Sequence, residues 1–342
     1  MMKPFKIENI EIAPNLVLAP MSGVTNIAFR RLIKKLNPNA VGLVVTEFIS
    51  IEGITRGNDQ SLRMMKFDEG ERPISIQIFG HEIEKMVEAA KIAADKGADI
   101  VDINSGCPVP RVVKKGGGCE LMRQPEHMKN LLEKVARAIK VPLTLKIRAG
   151  WDEKNKNALE IAKIAEGSGV KALAVHGRTR QEMYRGLADW NIVSEISKTI
   201  SIPVIGSGDI VDYPSAQAAL NSGASGLMIG RAALANPWVF SEIYSQIHSV
   251  PYTRPGYAAT AEVLFEYLDL LLEDLTKRAA FGRLKQLTSQ ITKRVPGSQE
   301  VRKELCTSVS LDAYKERLMK WYEFLKTNEA NGSSNYANDC SL

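Results

Sequence analysis

The sequence predicts a (β/α)8 barrel followed by a small all-α region. From residue 16 to about 247, short β-branched runs alternate with segments of helical period. Eight such runs fit into roughly 230 residues, which is the length and rhythm of a closed α/β barrel. After residue 250 only helical periodicity remains. An open doubly wound sheet is the structural alternative, but no GxGxxG follows the first strand.

The expected strands are LVLAPM (16–21), VGLVVTEFI (41–49), PISIQIFG (73–80), DIVDIN (99–104), LTLKIRAG (143–150), ALAVHGRT (172–179), PVIGSGDI (203–210) and GLMIGRAAL (226–234). Helix candidates lie between them, such as 82–97, 158–169 and 214–223, and several end in Gly, a common C-cap. This assigns residues 1–250 to a barrel domain. The YTRPGY stretch (252–257) reads as a linker, and 251–327 as a helical domain. There, residues 262–274 carry Glu262, Glu266, Asp269, Glu273 and Asp274 without a base, while 276–303 carry eight Lys/Arg against the single Glu300. Ala280, Leu284, Leu287 and Ile291 form an apolar stripe at helical spacing, with Lys277, Arg278, Lys285 and Lys293 on one flank and Arg283 and Arg294 on the other. A solvated bundle face and a polyanion-binding face remain equally open from charge alone. The polar tail, 328–342, reads as disordered.

Composition narrows the class. The chain has 342 residues, 44% of them hydrophobic and 25% charged, as soluble globular proteins do. Its N-terminus lacks an apolar signal-peptide core, and no run of about 18 apolar residues marks a membrane span. Cys107, Cys119, Cys306 and Cys340 form no CxxC and no Cys/His cluster, so neither a disulfide framework nor a metal site is expected. A cytoplasmic monomer is the expectation. A net charge of +6 permits a polyanionic partner without requiring one.

A barrel carries its active site at the C-terminal ends of its strands. Those ends hold Met21, Gln77, Asn104, Lys146 with Arg148, His176 with Arg178, the GSGD segment 206–209, and Gly230 with Arg231. So many polar or small residues closing apolar strands are hard to explain by packing. Loops after strands 7 and 8 often bind phosphate through backbone N–H groups, although glycines are also needed simply to turn a chain. Lys146, set in the apolar LTLKI, needs either an anionic ligand or a nearby carboxylate, because an unpaired buried ammonium is costly. His176 reads equally well as a satisfied strand histidine or as a ligand contact.

Taken in order, LAPMSGVTNIAFR, QIFG, INSGCPVPRVVKKGGGCELM, LKIRAGWD, VHGRTRQEMYRG, SGDI and IGRAALANPW resemble the bacterial tRNA-dihydrouridine synthases, closest to their B branch. The resemblance covers the whole barrel. It implies FMN as cofactor, NADPH or NADH as reductant, and a uridine of folded tRNA as substrate. By the same resemblance, Pro20, Met21 and Ser22 would lie against the flavin ring, and Gln77 would bond its polar edge. Lys146 would face the ring where negative charge builds on reduction, and His176 would help hold flavin or uracil. Ser207, Gly208, Asp209, Gly230 and Arg231 would hold the ribityl phosphate; many relatives have Asn at the position of Ser207. Cys107 would be the general acid that protonates uracil C5, on a flexible Gly-rich loop that closes over an extruded base. Asn104 and Arg178 would read the uracil edge, and Lys114 and Lys115 would approach phosphates. Cys119 stands where relatives usually carry Ala or Ser, and reads as a small-residue substitution.

Other readings keep part of this. The same chemistry could act on ribosomal RNA. An FMN barrel acting on free pyrimidines, of the dihydroorotate-dehydrogenase type, would have no use for the helical domain. A non-catalytic RNA-binding barrel would have no use for Cys107 and Lys146.

Overall fold

The computed structural model describes residues 3–330. Eight parallel strands close into a barrel: β1 (Leu16–Leu18), β2 (Leu43–Val45), β3 (Ile74–Phe79), β4 (Ile100–Ser105), β5 (Leu143–Arg148), β6 (Ala172–His176), β7 (Val204–Ser207) and β8 (Gly226–Ile229). Each pairs with its successor, and β8 returns to β1. Most strands are shorter than their apolar runs. β1 stops at Leu18 rather than residue 21, and β7 at Ser207 rather than 210. The tails leave the sheet at the barrel mouth and become its loops. A separate two-residue bridge, Ile49–Ser50, extends the sheet beside β3.

Alternation along the strands places the chemistry. Val101, Ile103, Leu145 and Ile147 face the outer helices in one apolar core. Asp102, Asn104, Thr144, Lys146 and Arg148 have the opposite parity and point into the barrel. Lower down, the interior is apolar, filled by Val17, Leu43, Ile100, Ala172, Ile205 and Met228. An antiparallel hairpin, Phe5–Ile7 with Ile10–Ile12, adds fully buried Ile7 and Ile12 to that interior layer. The FKI and IEI alternation around Glu8–Asn9 is its signal in the sequence.

After the barrel come the helices Ala258–Asp274, Lys277–Ile291, Gln299–Thr307 and Leu311–Ala330. The last passes the boundary expected at 327, and residues 331–342, with Cys340 and most of the expected disordered tail, lie outside the described residues. The apolar stripe Ala280, Leu284, Leu287 and Ile291 is buried, and its core runs without a break through Tyr267 and Leu271 into Phe29 and Leu32 of the barrel's first helix. The charge segregation is resolved by geometry. The acidic helix turns toward the barrel, pairing Glu273 with Arg31, Glu266 with Lys35 (2.7 Å) and Asp274 with Lys66 (2.8 Å). The basic helix keeps Lys277 and Arg278 exposed. Two of its cations are not free for a partner, contrary to the flank read from periodicity. Lys285 donates to the Ser308 carbonyl (2.6 Å) and covers the Phe281 ring. Arg283 donates to the Gly23 carbonyl and lies 4.0 Å from the buried Glu47 carboxylate, which itself accepts the Gly23 N–H.

That link ties the helical region to the loop after β1. Gly23 has φ +77°, and a Cβ there would sit 2.7 Å from the Arg283 guanidinium. Arg283→Gln would leave the Glu47 carboxylate with one partner fewer in a poorly solvated place. Thermal unfolding should show a loss of roughly 1–3 kcal/mol. A parental melting curve would mean that the link is dispensable.

Candidate active site

A cavity of about 850 Å³ opens at the C-terminal mouth of the barrel. Pro20, Met21, Ser22, Asn104, Cys107, Lys146, His176, Ser207, Gly208, Asp209, Gly230 and Arg231 all line it. Residues from six strand ends and the loops beyond them, far apart in sequence, thus meet in one place. Register brings them level: Asn104 lies beside Lys146, and Arg148 beside His176, which lies beside Ser207.

The floor is a hydrogen-bonded chain. Thr144 Oγ1 (2.5 Å) and Gln77 Nε2 (2.6 Å) donate to the Asp102 carboxylate. Asn104 Nδ2 donates to Gln77 Oε1 (2.8 Å), and Asn104 Oδ1 accepts the N–H groups of Gly106 (3.1 Å) and Cys107 (2.9 Å). Both ends of the Asn104 amide are therefore committed, and they fix the backbone that carries the cysteine. Gln77 is fully buried at the base of this chain, outside the residues that line the cavity, and its amide links Asp102 to Asn104. Burial pushes the Asp102 carboxyl up to about 6.

Lys146 has no hydrogen bond or ion pair with any described residue. Burial first, and the neighbouring Arg148 charge second, pull its ammonium down to about 8. The Asp102 carboxylate spends its hydrogen bonds on Thr144 and Gln77 and acts on Lys146 through its charge alone. An acceptor entering the cavity would meet this unpartnered donor, and that is the observation favouring an anionic or carbonyl-rich ligand.

His176 is held neutral by burial and by the cations Lys146, Arg148, Arg178 and Arg231. Arg178 NH1 lies 3.3 Å from its Nε2. A guanidinium only donates, so Nε2 accepts and the ring proton sits on Nδ1. Arg178 itself does not reach the cavity. It is 2% exposed and spends its donors on the Arg185 and Gly186 carbonyls, His176 and the Asp209 carboxylate (2.7 and 2.9 Å). Its side chain thus contacts both His176 and Asp209, two residues that line the cavity. The Asp209 carboxylate accepts in addition from Ala188 N–H (2.8 Å) and Arg231 (3.2 Å). Left-handed backbone at Gly208 (φ +127°) and Asp209 (φ +54°) shapes this turn, and a Cβ on Gly208 would lie 2.5 Å from that of Ala188.

Cys107 is 6% exposed, and burial raises its thiol pKa, so the sulfur keeps its proton at neutral pH. The segment after it is more ordered than its glycines implied. It forms the helical turn Pro110–Val113 and a 3₁₀ stretch, Gly118–Arg123. The glycines serve packing: a Cβ at Gly116 would lie 2.7 Å from the His81 ring, and one at Gly118 would lie 2.5 Å from the Cys107 carbonyl. Cys119 is buried, its N–H bonds the Cys107 carbonyl (3.1 Å), and burial pushes its thiol up to about 12. Both thiols are free. Lys114 and Lys115 do not line the cavity; they are exposed on the turn beside it.

Arg148 and Tyr184 also line the cavity and had no role assigned from the sequence. Arg148 donates to the Gly106 (2.9 Å), Thr179 (3.0 Å) and Met183 (2.8 Å) carbonyls, binding the cysteine loop to the loop after β6. Its parity with Lys146 was the available signal. Tyr184, 53% exposed, lies at the rim with the Arg231 and Arg148 guanidiniums 4.5 and 5.6 Å from its ring centre. Nothing local in the sequence marks it.

A family model described as dihydrouridine synthase matches residues 17–326. A probable tRNA-dihydrouridine synthase of Rickettsia conorii is 35% identical over 328 residues, covering 95% of this chain and 98% of that one. The tRNA-dihydrouridine synthase B of Pseudomonas putida is 42% identical over 282 residues, covering 82% and 81% respectively. Among solved structures, morphinone reductase in complex with tetrahydroNAD superposes with a TM-score of 0.52 at 13% identity, over 75% of this chain and 93% of that one. That likeness speaks for the barrel fold alone.

Proposed function

The chain belongs to the dihydrouridine synthase family, and from that premise we propose that it reduces the C5–C6 double bond of uridines in tRNA, with FMN as cofactor and NADPH or NADH as reductant. The observation that carries the reading is the unpartnered Lys146 ammonium in a barrel-mouth cavity that also holds a protonated cysteine.

The residues present fit a flavin mononucleotide. Pro20, Met21 and Ser22 offer a wall for the ring, and Lys146 a cation for its electron-rich edge. Gly208, Gly230 and Arg231 would hold the phosphate through backbone N–H groups and one guanidinium. The Asp209 carboxylate, an acceptor only, would aim Arg231 rather than touch phosphate itself. When bound, the flavin supplies the hydride for uracil C6. Cys107 holds the proton for C5 at Sγ, and the Asn104 bonds to Gly106 and Cys107 keep that sulfur in place. His176 presents its Nδ1 proton as a donor. Tyr184 offers an exposed ring at the entrance, and only an extruded base fits a cavity of this size.

Purified protein should be yellow and release FMN on denaturation, because the chain carries a mononucleotide-sized site and no dinucleotide fingerprint. Released FAD would contradict the phosphate-loop assignment. The activity itself is tested by mapping dihydrouridine across total RNA from a deletion strain, with and without this gene restored. Positions lost and regained in tRNA support the reading; a change confined to ribosomal RNA would redirect it.

A further inference from the structure

Three loops at the barrel mouth converge on Trp151, outside the cavity. Trp151 follows β5. Arg123 ends the 3₁₀ stretch after β4, and its guanidinium carbon lies 4.5 Å from the indole centre. Arg180 follows β6, and its guanidinium carbon lies 4.8 Å from the same ring. The platform is held by backbone: Arg180 N–H donates to the Gly150 carbonyl (2.9 Å), Gln181 N–H to Trp151 (3.0 Å), and Trp151 N–H to Asn155 (3.0 Å).

The arginines are poorly compensated. Arg123 has only the partly exposed Glu120, at 3.3 Å. Arg180 has no hydrogen bond or ion pair from its side chain to any described residue, and its Nε is buried without an acceptor. The nearby acids are committed elsewhere: Asp152 to the Asn155 amide and the N–H groups of 154 and 155, Glu153 to Lys156, and Glu182 to Thr179. Arg111, Lys114 and Lys115, on the adjoining cysteine turn, are exposed and form no ion pair among the described residues.

We propose that Arg123 and Arg180, stacked on Trp151, form a phosphate clamp for the RNA backbone on the side of the mouth opposite the helical region. The position follows from topology. The helical region touches the mouth through the loop after β1, at Gly23, and Glu47 after β2. In a closed ring of eight strands, β5 lies diametrically across from β1. The ligand class follows from the chemistry: two guanidiniums over the indole leave it little face for a base, while their outward N–H forks suit phosphate oxygens. RNA held on both sides of the mouth would present one nucleotide to the cavity between them. The inference rests on the proposed RNA substrate and names how it is held.

The test uses FMN-loaded protein and an unmodified tRNA transcript, with binding measured across a salt titration. Arg123→Gln with Arg180→Gln should weaken binding at least several-fold and lower the log–log salt slope by about 1.4–1.8, at roughly 0.7–0.9 for each phosphate no longer neutralised. Flavin content and flavin reduction by NADPH should stay parental, which also reports that the variant folds. Arg123→Lys with Arg180→Lys keeps both charges and should recover most of the slope. The Lys277→Gln, Arg278→Gln pair on the helical region should add to the clamp variant in free energy, as independent sites do. An unchanged slope and affinity in the Gln variant would overturn the clamp and make the arginines covers for the indole. Parental protein that bound no tRNA would instead overturn the RNA reading itself.

Discussion

Cys107→Ala is expected to slow dihydrouridine formation by roughly 10²–10⁴-fold, the usual worth of a positioned general acid. Flavin binding and flavin reduction by NADPH should survive, because the thiol lies on the cavity wall without bonding the residues proposed to hold the cofactor. Stopped-flow traces would separate the two half-reactions: reduction at the parental rate, reoxidation by tRNA nearly abolished. Two structural facts favour this outcome. Burial keeps the thiol protonated, the state an acid needs and a nucleophile does not. The Asn104 bonds to its backbone hold the sulfur at the cavity through two strand-anchored residues, Gln77 and Asp102. Cys119→Ala is the control. Its thiol is buried and outside the cavity, so reoxidation should stay close to parental. Parental reoxidation in Cys107→Ala would reduce that residue to a packed small side chain.

Lys146→Met should weaken FMN binding and slow flavin reduction by roughly 10²–10³-fold, the cost typical of removing one donor from a preorganised electrostatic site. The pH behaviour gives an independent readout. In the empty protein the ammonium is pulled from 10.5 down to about 8. Below pH 8 the cation is present and an anionic ring edge binds well. As pH rises above about 8 the free protein loses the proton, and affinity should fall by up to tenfold per pH unit. The Met variant should be weaker and flat across that range. Stability has the opposite sign: between about 8 and 10.5 the unfolded chain binds more protons at this site than the folded one, so the empty parent should gain stability as pH rises there. The variant should not. A parental protein whose flavin affinity does not change between pH 7 and 9.5 would place Lys146 away from the ring.

The barrel was legible from local pattern because burial on both faces forces each strand into an apolar run, and each crossover helix into a 3.6-residue period. The residues at the strand ends were legible for the same reason: a lysine inside LTLKI or an asparagine after DIVDI is out of place in a packed layer. Roles were less so. Gln77, Asn104 and Arg178 stand at strand ends in sequence, yet only Asn104 reaches the cavity, because which polar groups satisfy one another is decided by register between neighbouring strands. The glycines of 116–118 announced flexibility by composition, while Gly116 and Gly118 are required by left-handed backbone (φ +81° and +59°) and by the closeness of His81 and the Cys107 carbonyl, which only the folded chain brings about. The basic helix showed its charges and its buried stripe in the sequence. That Arg283 and Lys285 are spent internally, while Lys277 and Arg278 are not, depended on what packs above each side chain. Periodicity reports which face of an element is buried, because burial follows the backbone repeat. It cannot report the partner, because partners across a barrel or between helices are chosen by residues hundreds of positions apart, such as Gly23 with Arg283.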